Sequence, residues 1–173
     1  ILGVDYCLGG VFVHDLAKGT SEMLTDDWTY WGAAWSPDGR RILLGSDSPR
    51  IVDVETGDRE VATGLEGLSL TPTRWSPDGD HVTGIRTGGN GNVSIELVSL
   101  SSGARIVLSD SVRQGLEDAS FSPDGRYVVF ADDAHEEEGE DIFVQEVATG
   151  ERWVLVDGPE DDRGALWSPD GAK

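Results

Sequence analysis

One five-residue phrase occurs four times in the chain: Trp35-Ser36-Pro37-Asp38-Gly39, Trp75-Ser76-Pro77-Asp78-Gly79, Phe121-Ser122-Pro123-Asp124-Gly125 and Trp167-Ser168-Pro169-Asp170-Gly171. Its aromatic residues stand 40, 46 and 46 positions apart, close to the period of a four-stranded propeller blade. This repetition constrains the fold more than any local propensity, because whatever one unit forms the others must form as well. A second marker keeps the same phase. Glycine closes the short stretches 13–19, 52–57, 98–103 and 145–150, and those glycines precede the next aromatic by 16, 18, 18 and 17 residues.

Each unit reads as four short strands. In the second unit these are Gly32 to Trp35, Ile42 to Gly45, Arg50 to Val54 and Arg59 to Ala62, all of β length and rich in β-branched residues. Between the first two strands, proline presets φ for a turn, aspartate accepts backbone N–H bonds, and glycine takes the positive φ that follows. The Thr-Gly or Ser-Gly pair serves the other hairpin in the same way. No segment of ten residues carries a 3.6-residue period, so the expected fold is all-β: about four blades of four antiparallel strands.

The aromatic-Ser-Pro-Asp-Gly phrase, the β-branched strand after it and the Asp-x-x-Thr-Gly-like turn resemble the WD40-like repeat of TolB-type β-propellers. The likeness extends over nearly the whole chain. It implies blades around a central channel with the aromatic-bearing strand innermost, and a periplasmic or other envelope location. TolB-like proteins dock lipoproteins and other envelope components, so the resemblance implies a non-catalytic module that engages a protein or peptide. The alternative it leaves open is the gating propeller of a prolyl-oligopeptidase-like serine peptidase whose catalytic domain lies outside this chain.

The units divide the chain into three strands of a blade (1–25), three full blades (26–64, 65–110 and 111–157) and the first strand of another (158–173). The two ends are complementary pieces of one blade. Joining them would space the aromatics by 41 residues, so a closed four-blade ring formed by strand exchange is one reading. The other, favoured, is a fragment of a larger ring of about six to eight blades. An open arc exposes sheet edges and therefore invites self-association through them. The chain opens on Ile1, and nothing about a leader follows from that.

A residue that every blade repeats is expected to be scaffold, so the four aromatics are core and the four aspartates cap turns. Function is expected in the connections that differ, and in a propeller the blade-to-blade crossovers and the second-to-third-strand loops fall on one face. There Trp28, Tyr30 and Trp31, beside two aspartates, would cradle a cation, a sugar or a peptide side chain, or else lid the core. Arg113 and Arg163 are the only cations of their crossovers and suit a carboxylate, though solvated surface arginines are the plainer account. The run from Asp132 to Asp141 contains Asp132, Asp133, Glu136, Glu138 and Asp141, the weak candidates for a cation site. Their spacing does not match the twelve-residue calcium loop, and a solvated hairpin tip is the favoured reading.

Charge narrows the partners. Thirteen basic residues against 33 acidic ones leave a net charge of −20, which argues against nucleic-acid backbones and anionic membrane surfaces. No apolar run reaches the roughly 18–20 residues of a membrane-spanning helix, so no insertion is expected. A lone cysteine, Cys7, excludes an internal disulfide, and no metal or cofactor is expected. Neither a Gly-x-Ser-x-Gly elbow nor a His-Glu-x-x-His motif is present. His14, His81 and His135 are the near-neutral bases, and no catalytic role is assigned to them.

Overall fold

The computed structural model describes residues 2–5, 10–26, 30, 32–61, 64–65, 70–88, 92–110, 119–135, 139–158 and 162–172, with backbone alone at 2–5, 72–73, 133–135 and 139. Every strand pairing among them is antiparallel, and each sheet is a meander in chain order. The first sheet has three strands: β1 (Leu2–Asp5), β2 (Gly10–Asp15) and β3 (Thr20–Thr25). The second comprises β4 (Gly32–Trp35), β5 (Arg41–Gly45), β6 (Arg50–Asp53) and β7 (Arg59–Glu60). The third comprises β8 (Leu70–Trp75), β9 (His81–Thr87), β10 (Val93–Ser99) and β11 (Arg105–Ser109). The fourth comprises β12 (Ser120–Phe121), β13 (Tyr127–His135), β14 (Gly139–Glu146) and β15 (Arg152–Val156).

The sheets stack face to face, so a middle strand buries both of its faces. That is why these strands read as continuous apolar runs instead of alternating with polar residues. On β5, Ile42 and Leu44 pack toward the first sheet with Val11 and Val52, while Leu43 packs toward the third with Trp75, Val82 and Leu70. On β13, Val128 and Phe130 face the third sheet, joining Ile95, Leu97 and Leu108, and Val129 faces the other way.

The repeated turn is built as its residue types require. Ser36 Oγ donates to Asp38 Oδ1 at 2.6 Å and accepts from the Arg41 N–H at 2.9 Å, while the Arg40 N–H donates to the same aspartate oxygen at 3.0 Å. The turns at Ser122 and Ser168 repeat the serine-to-aspartate bond at 2.6 and 2.7 Å, and Ser76 makes it to Asp78. The turn glycines adopt φ of 69°, 75°, 73° and 70°, a region that a side chain would strain. Aspartate in this phrase is therefore a cap, as its repetition implied.

The capping bonds have a pH signature. Hydrogen bonds from Ser36, Ser122 and Ser168, followed by those from the Arg40, Arg126 and Ala172 N–H groups, hold the Asp38, Asp124 and Asp170 carboxyls below their ordinary value. A depressed folded pKa contributes stability above the unfolded value of about 3.9, and that contribution is lost as pH falls through the folded pKa. The stability difference between wild type and Asp124→Asn, read from urea midpoints, is expected to be full above about pH 4 and to shrink below it. A difference that does not change with pH would refute the capping role.

Toward the other end, Ala165, Leu166 and Trp167 were expected to form a first strand, but they form none. Ala165 and Trp167 lie against the fourth sheet, and among the described residues no hydrogen-bonded strand lies beside them. Nor does any described strand other than β2 pair with β1. Ring closure between the two ends is therefore not formed among the described residues.

Candidate functional site

The inner strands β4, β8 and β12 and the segment 165–167 bring their aromatic ends together. Trp35, Trp75, Phe121 and Trp167 line one concave cavity of about 660 Å³ with Ala34, Pro37, Arg74, Pro77, Ser120 and Leu166. Trp75 and Phe121 are core, and Trp35 and Trp167 are half-buried. The Trp75 indole N–H donates to the Ala34 carbonyl of the preceding blade at 3.0 Å, and the Arg41 guanidinium lies 5.2 Å from its ring centroid. The wall is thus aromatic and proline-rich, with one guanidinium and no carboxylate, on a chain that is acidic elsewhere. Its lining residues sit at the C-terminal ends of the inner strands and in the turns that follow, whereas the crossovers enter at the N-terminal ends. The cavity therefore opens away from the loop-rich face.

On that loop-rich face, the structure places some expected residues and not others. Tyr30 is buried, packing with Val11, Ile42, Leu44 and Val52. Trp28, Trp31 and Arg113 lie outside the described residues. Arg163 is half-exposed and its Nε meets Glu140 Oε2 at 2.9 Å, a carboxylate that is itself buried.

The acidic run belongs to the β13–β14 hairpin, where Asp132 and Asp141 face each other across the ladder. Each has a protein partner. Ser109 Oγ donates to Asp132 Oδ1 at 2.6 Å, Arg152 Nη2 to Asp132 Oδ2 at 2.9 Å, and the Gly158 N–H to Asp141 Oδ1 at 3.4 Å. The Asp133 side chain and residues Glu136 and Glu138 lie outside the described residues. Among those described, no group of three or more His, Cys, Asp and Glu is arranged to hold a metal ion.

His14 and His81 lie near the ends of strands β2 and β9. His14 Nδ1 lies 2.8 Å from Ser21 Oγ, a contact that follows from their cross-strand pairing on β2 and β3. His81 follows the second Ser-Pro-Asp-Gly turn, with Nδ1 3.6 Å from Asp80. Cys7 and the side chain of His135 are outside the described residues.

Sequence reasoning missed a second repeated device. Arg59, at the start of β7, donates to the Leu24 carbonyl of the preceding blade at 2.7 Å, and Arg152, at the start of β15, donates to the Leu108 carbonyl at 3.3 Å. Both carbonyls belong to the second-last residue of an outer strand. Arginine stands two residues after the hairpin glycine in three units, as Gly57-Asp58-Arg59, Gly103-Ala104-Arg105 and Gly150-Glu151-Arg152. That spacing was visible in the sequence, but its role is a contact between blades, which no single repeat displays.

No family model matches the chain. Among solved structures, TolB from Acinetobacter baumannii is 22% identical with a TM-score of 0.70, the match covering 98% of this chain and 44% of that one. A putative TolB from Agrobacterium tumefaciens is 20% identical with a TM-score of 0.65, over 94% and 58%. A prolyl endopeptidase structure is 19% identical with a TM-score of 0.56, over 86% and 26%. The chain spans about half the length of the two TolB structures. Four meander sheets, aromatic inner strands around one cavity and these likenesses agree: the chain carries a TolB-like β-propeller fold.

Proposed function

We propose that the chain is a non-catalytic propeller module that engages a protein or peptide of the bacterial envelope on its loop-rich face. The likeness to the two TolB structures supports this reading, and the rigid stack of sheets supplies what such a surface needs: variable crossovers held on a fixed frame. Trp28 and Trp31 supply apolar grip beside Asp26 and Asp27, Arg113 supplies a donor for a carboxylate, and Arg163, tied to Glu140, sets the edge of the surface. Tyr30, from the same stretch of sequence, belongs to the core.

Selection of peptides from a random phage-displayed library on the immobilised chain tests the proposal. Enriched peptides are expected to lose at least about tenfold in affinity on Trp28→Ala/Trp31→Ala, about 1.4 kcal/mol, and to be indifferent to Leu16→Ser on a distant hairpin. No enrichment, or peptides indifferent to the crossover variants, would overturn it. The prolyl endopeptidase likeness favours a second reading, the gating propeller of a serine peptidase. A hydrolase domain with a nucleophile elbow, encoded downstream in the same reading frame, would replace the first reading with it.

A further inference from the structure

Five aspartates in the chain stand directly before a glycine: Asp38, Asp78, Asp124, Asp157 and Asp170. Such a pair is open to one spontaneous reaction, in which the glycine nitrogen attacks the aspartate Cγ and closes a succinimide ring. Glycine, having no Cβ, neither crowds that nitrogen nor restricts its approach. The reaction needs a nitrogen free to turn onto Cγ, a carboxyl free to meet it, and a proton on that carboxyl, because hydroxyl is the group that leaves.

The repeated turns withhold these requirements. The N–H groups of Gly39, Gly79, Gly125 and Gly171 donate to the carbonyls of Ser36, Ser76, Ser122 and Ser168 at 2.8–3.0 Å, so each nitrogen is held in its turn. The carboxylate is directed past it, toward the next N–H along the chain, which lies 2.9–3.1 Å away at Arg40, Asp80, Arg126 and Ala172. The serine hydroxyl holds the same oxygen. The serine bond first, and the N–H bond after it, also keep the carboxyls of Asp38, Asp124 and Asp170 below their ordinary value and hence ionised.

Asp157-Gly158 has none of these restraints. The pair follows β15 outside the ladder, and Asp157 is exposed, with no hydrogen bond to its carboxylate among the described residues. Exposure belongs to the position: Asp26 and Asp110, which follow β3 and β11 in the same way, are exposed too. The Gly158 N–H meets Asp141 Oδ1 at 3.4 Å, long for an N–H···O bond. That acceptor is a carboxylate, which can take up a proton, whereas the serine carbonyls of the turns cannot.

We propose that Asp157-Gly158 is a site of spontaneous isoaspartate formation, and that the Ser-Pro-Asp-Gly turn guards the other four aspartates against the same reaction. The Gly158 nitrogen bonds to Cγ of the protonated Asp157 carboxyl, and the Cγ–OH bond breaks. The amide proton, passed through Asp141 Oδ1, leaves with that hydroxyl as water. A second water then opens the ring. Attack at Cγ restores aspartate, whereas attack at the Asp157 backbone carbonyl leaves Gly158 joined through Cγ and a free carboxylate on Cα. One water is lost and one regained, so composition is unchanged while the backbone gains a methylene.

The test incubates the wild type at about pH 5, natively and in urea, then digests it with trypsin and maps isoaspartate by electron-transfer fragmentation. Cleavage after Lys and Arg puts the five aspartates in separate peptides, 19–40, 75–86, 114–126, 153–163 and 164–173. Asn90-Gly91 lies outside the described residues, falls in another peptide, and changes mass when it deamidates. In the native protein, isoaspartate is expected to accumulate at Asp157 at least about tenfold faster than at any of the other four, and in urea the five rates are expected to agree within about threefold. Ser122→Ala is expected to speed the reaction at Asp124 by at least about threefold and to leave Asp157 unchanged. Asp157→Glu is expected to abolish the signal from its peptide, since the larger ring closes far more slowly. Unchanged far-ultraviolet dichroism verifies folding of both variants. A native map in which any turn aspartate isomerises as fast as Asp157 overturns the proposal. So does a preference for Asp157 that persists in urea, or a folded Ser122→Ala variant with no rise at Asp124.

Discussion

Replacing Trp75 by alanine is expected to lower the unfolding free energy by about 3–5 kcal/mol, the range for removing a large aromatic from a core. The indole is 8% exposed and packs among Leu43, Ile51, Leu65, Leu70 and Val82, residues of two successive sheets and the crossover between them. Truncation leaves a cavity at that junction, which neither sheet can fill without leaving its own ladder. It also leaves the Ala34 carbonyl without its indole donor and removes the ring beneath Arg41. Trp75→Phe keeps an aromatic ring in the core but loses the hydrogen bond and part of the packed volume, so it is expected to cost less than the alanine variant, about 1–2 kcal/mol. Urea denaturation of the three proteins measures both. An alanine variant with an unchanged midpoint would mean that the repeated aromatic is not core.

The second large effect is expected at Arg152. Its guanidinium joins three elements at once. It pairs with the buried Asp132, donates to the Leu108 carbonyl of the third sheet, and lies over Phe143 with its carbon 4.4 Å from the ring centroid. Arg152→Met leaves the buried Asp132 without this guanidinium. Losing one member of a fully buried pair costs roughly 3–5 kcal/mol. The Arg152 side chain is 39% exposed, so the expected loss is smaller, about 2–3 kcal/mol. Adding Asp132→Leu removes the stranded carboxylate and is expected to recover about half of that loss. A double-mutant cycle measures the coupling, and additive losses would show that the two residues do not act as a pair.

The arginine also marks where reading by repeats stops. The Ser-Pro-Asp-Gly turn was legible because all of its bonds run among residues at most five apart, between side chains whose chemistry admits few other uses. The strands of the second unit were legible for a similar reason: β-length apolar runs bounded by turn residues have few other folds open to them. By contrast, Arg59 and Arg152 bond residues 35 and 44 positions away, and Ser109 meets Asp132 across two sheets. Such contacts depend on the stacking angle of neighbouring blades, which no periodicity encodes.

The candidate site divides the same way. Tyr30 fell in a loop rich in aromatic and acidic residues, and composition there suits a ligand platform and a core lid equally well. Its burial among Val11, Ile42, Leu44 and Val52 depends on where the crossover lies over the sheets. Arg163 read as a lone cation because its partner Glu140 is 23 residues upstream, in a run where sequence gives no reason to prefer one carboxylate over the next. Asp132 read as one more charge in that run, although the fold sets it against Arg152 and Ser109.

The amino-acid order by itself determined the all-β class, the blade period and the turn caps, since each follows from short-range chemistry repeated in register; the innermost place of the aromatics was legible only through the resemblance to TolB-type repeats. Tertiary structure alone decided that Ala165 and Trp167 are seated on the fourth sheet, that the aromatic cavity opens at the turn end, and that arginines tie one blade to the next. These depend on how whole sheets meet. Packing between surfaces distant in the chain sets that geometry, and no local sequence signal reports it.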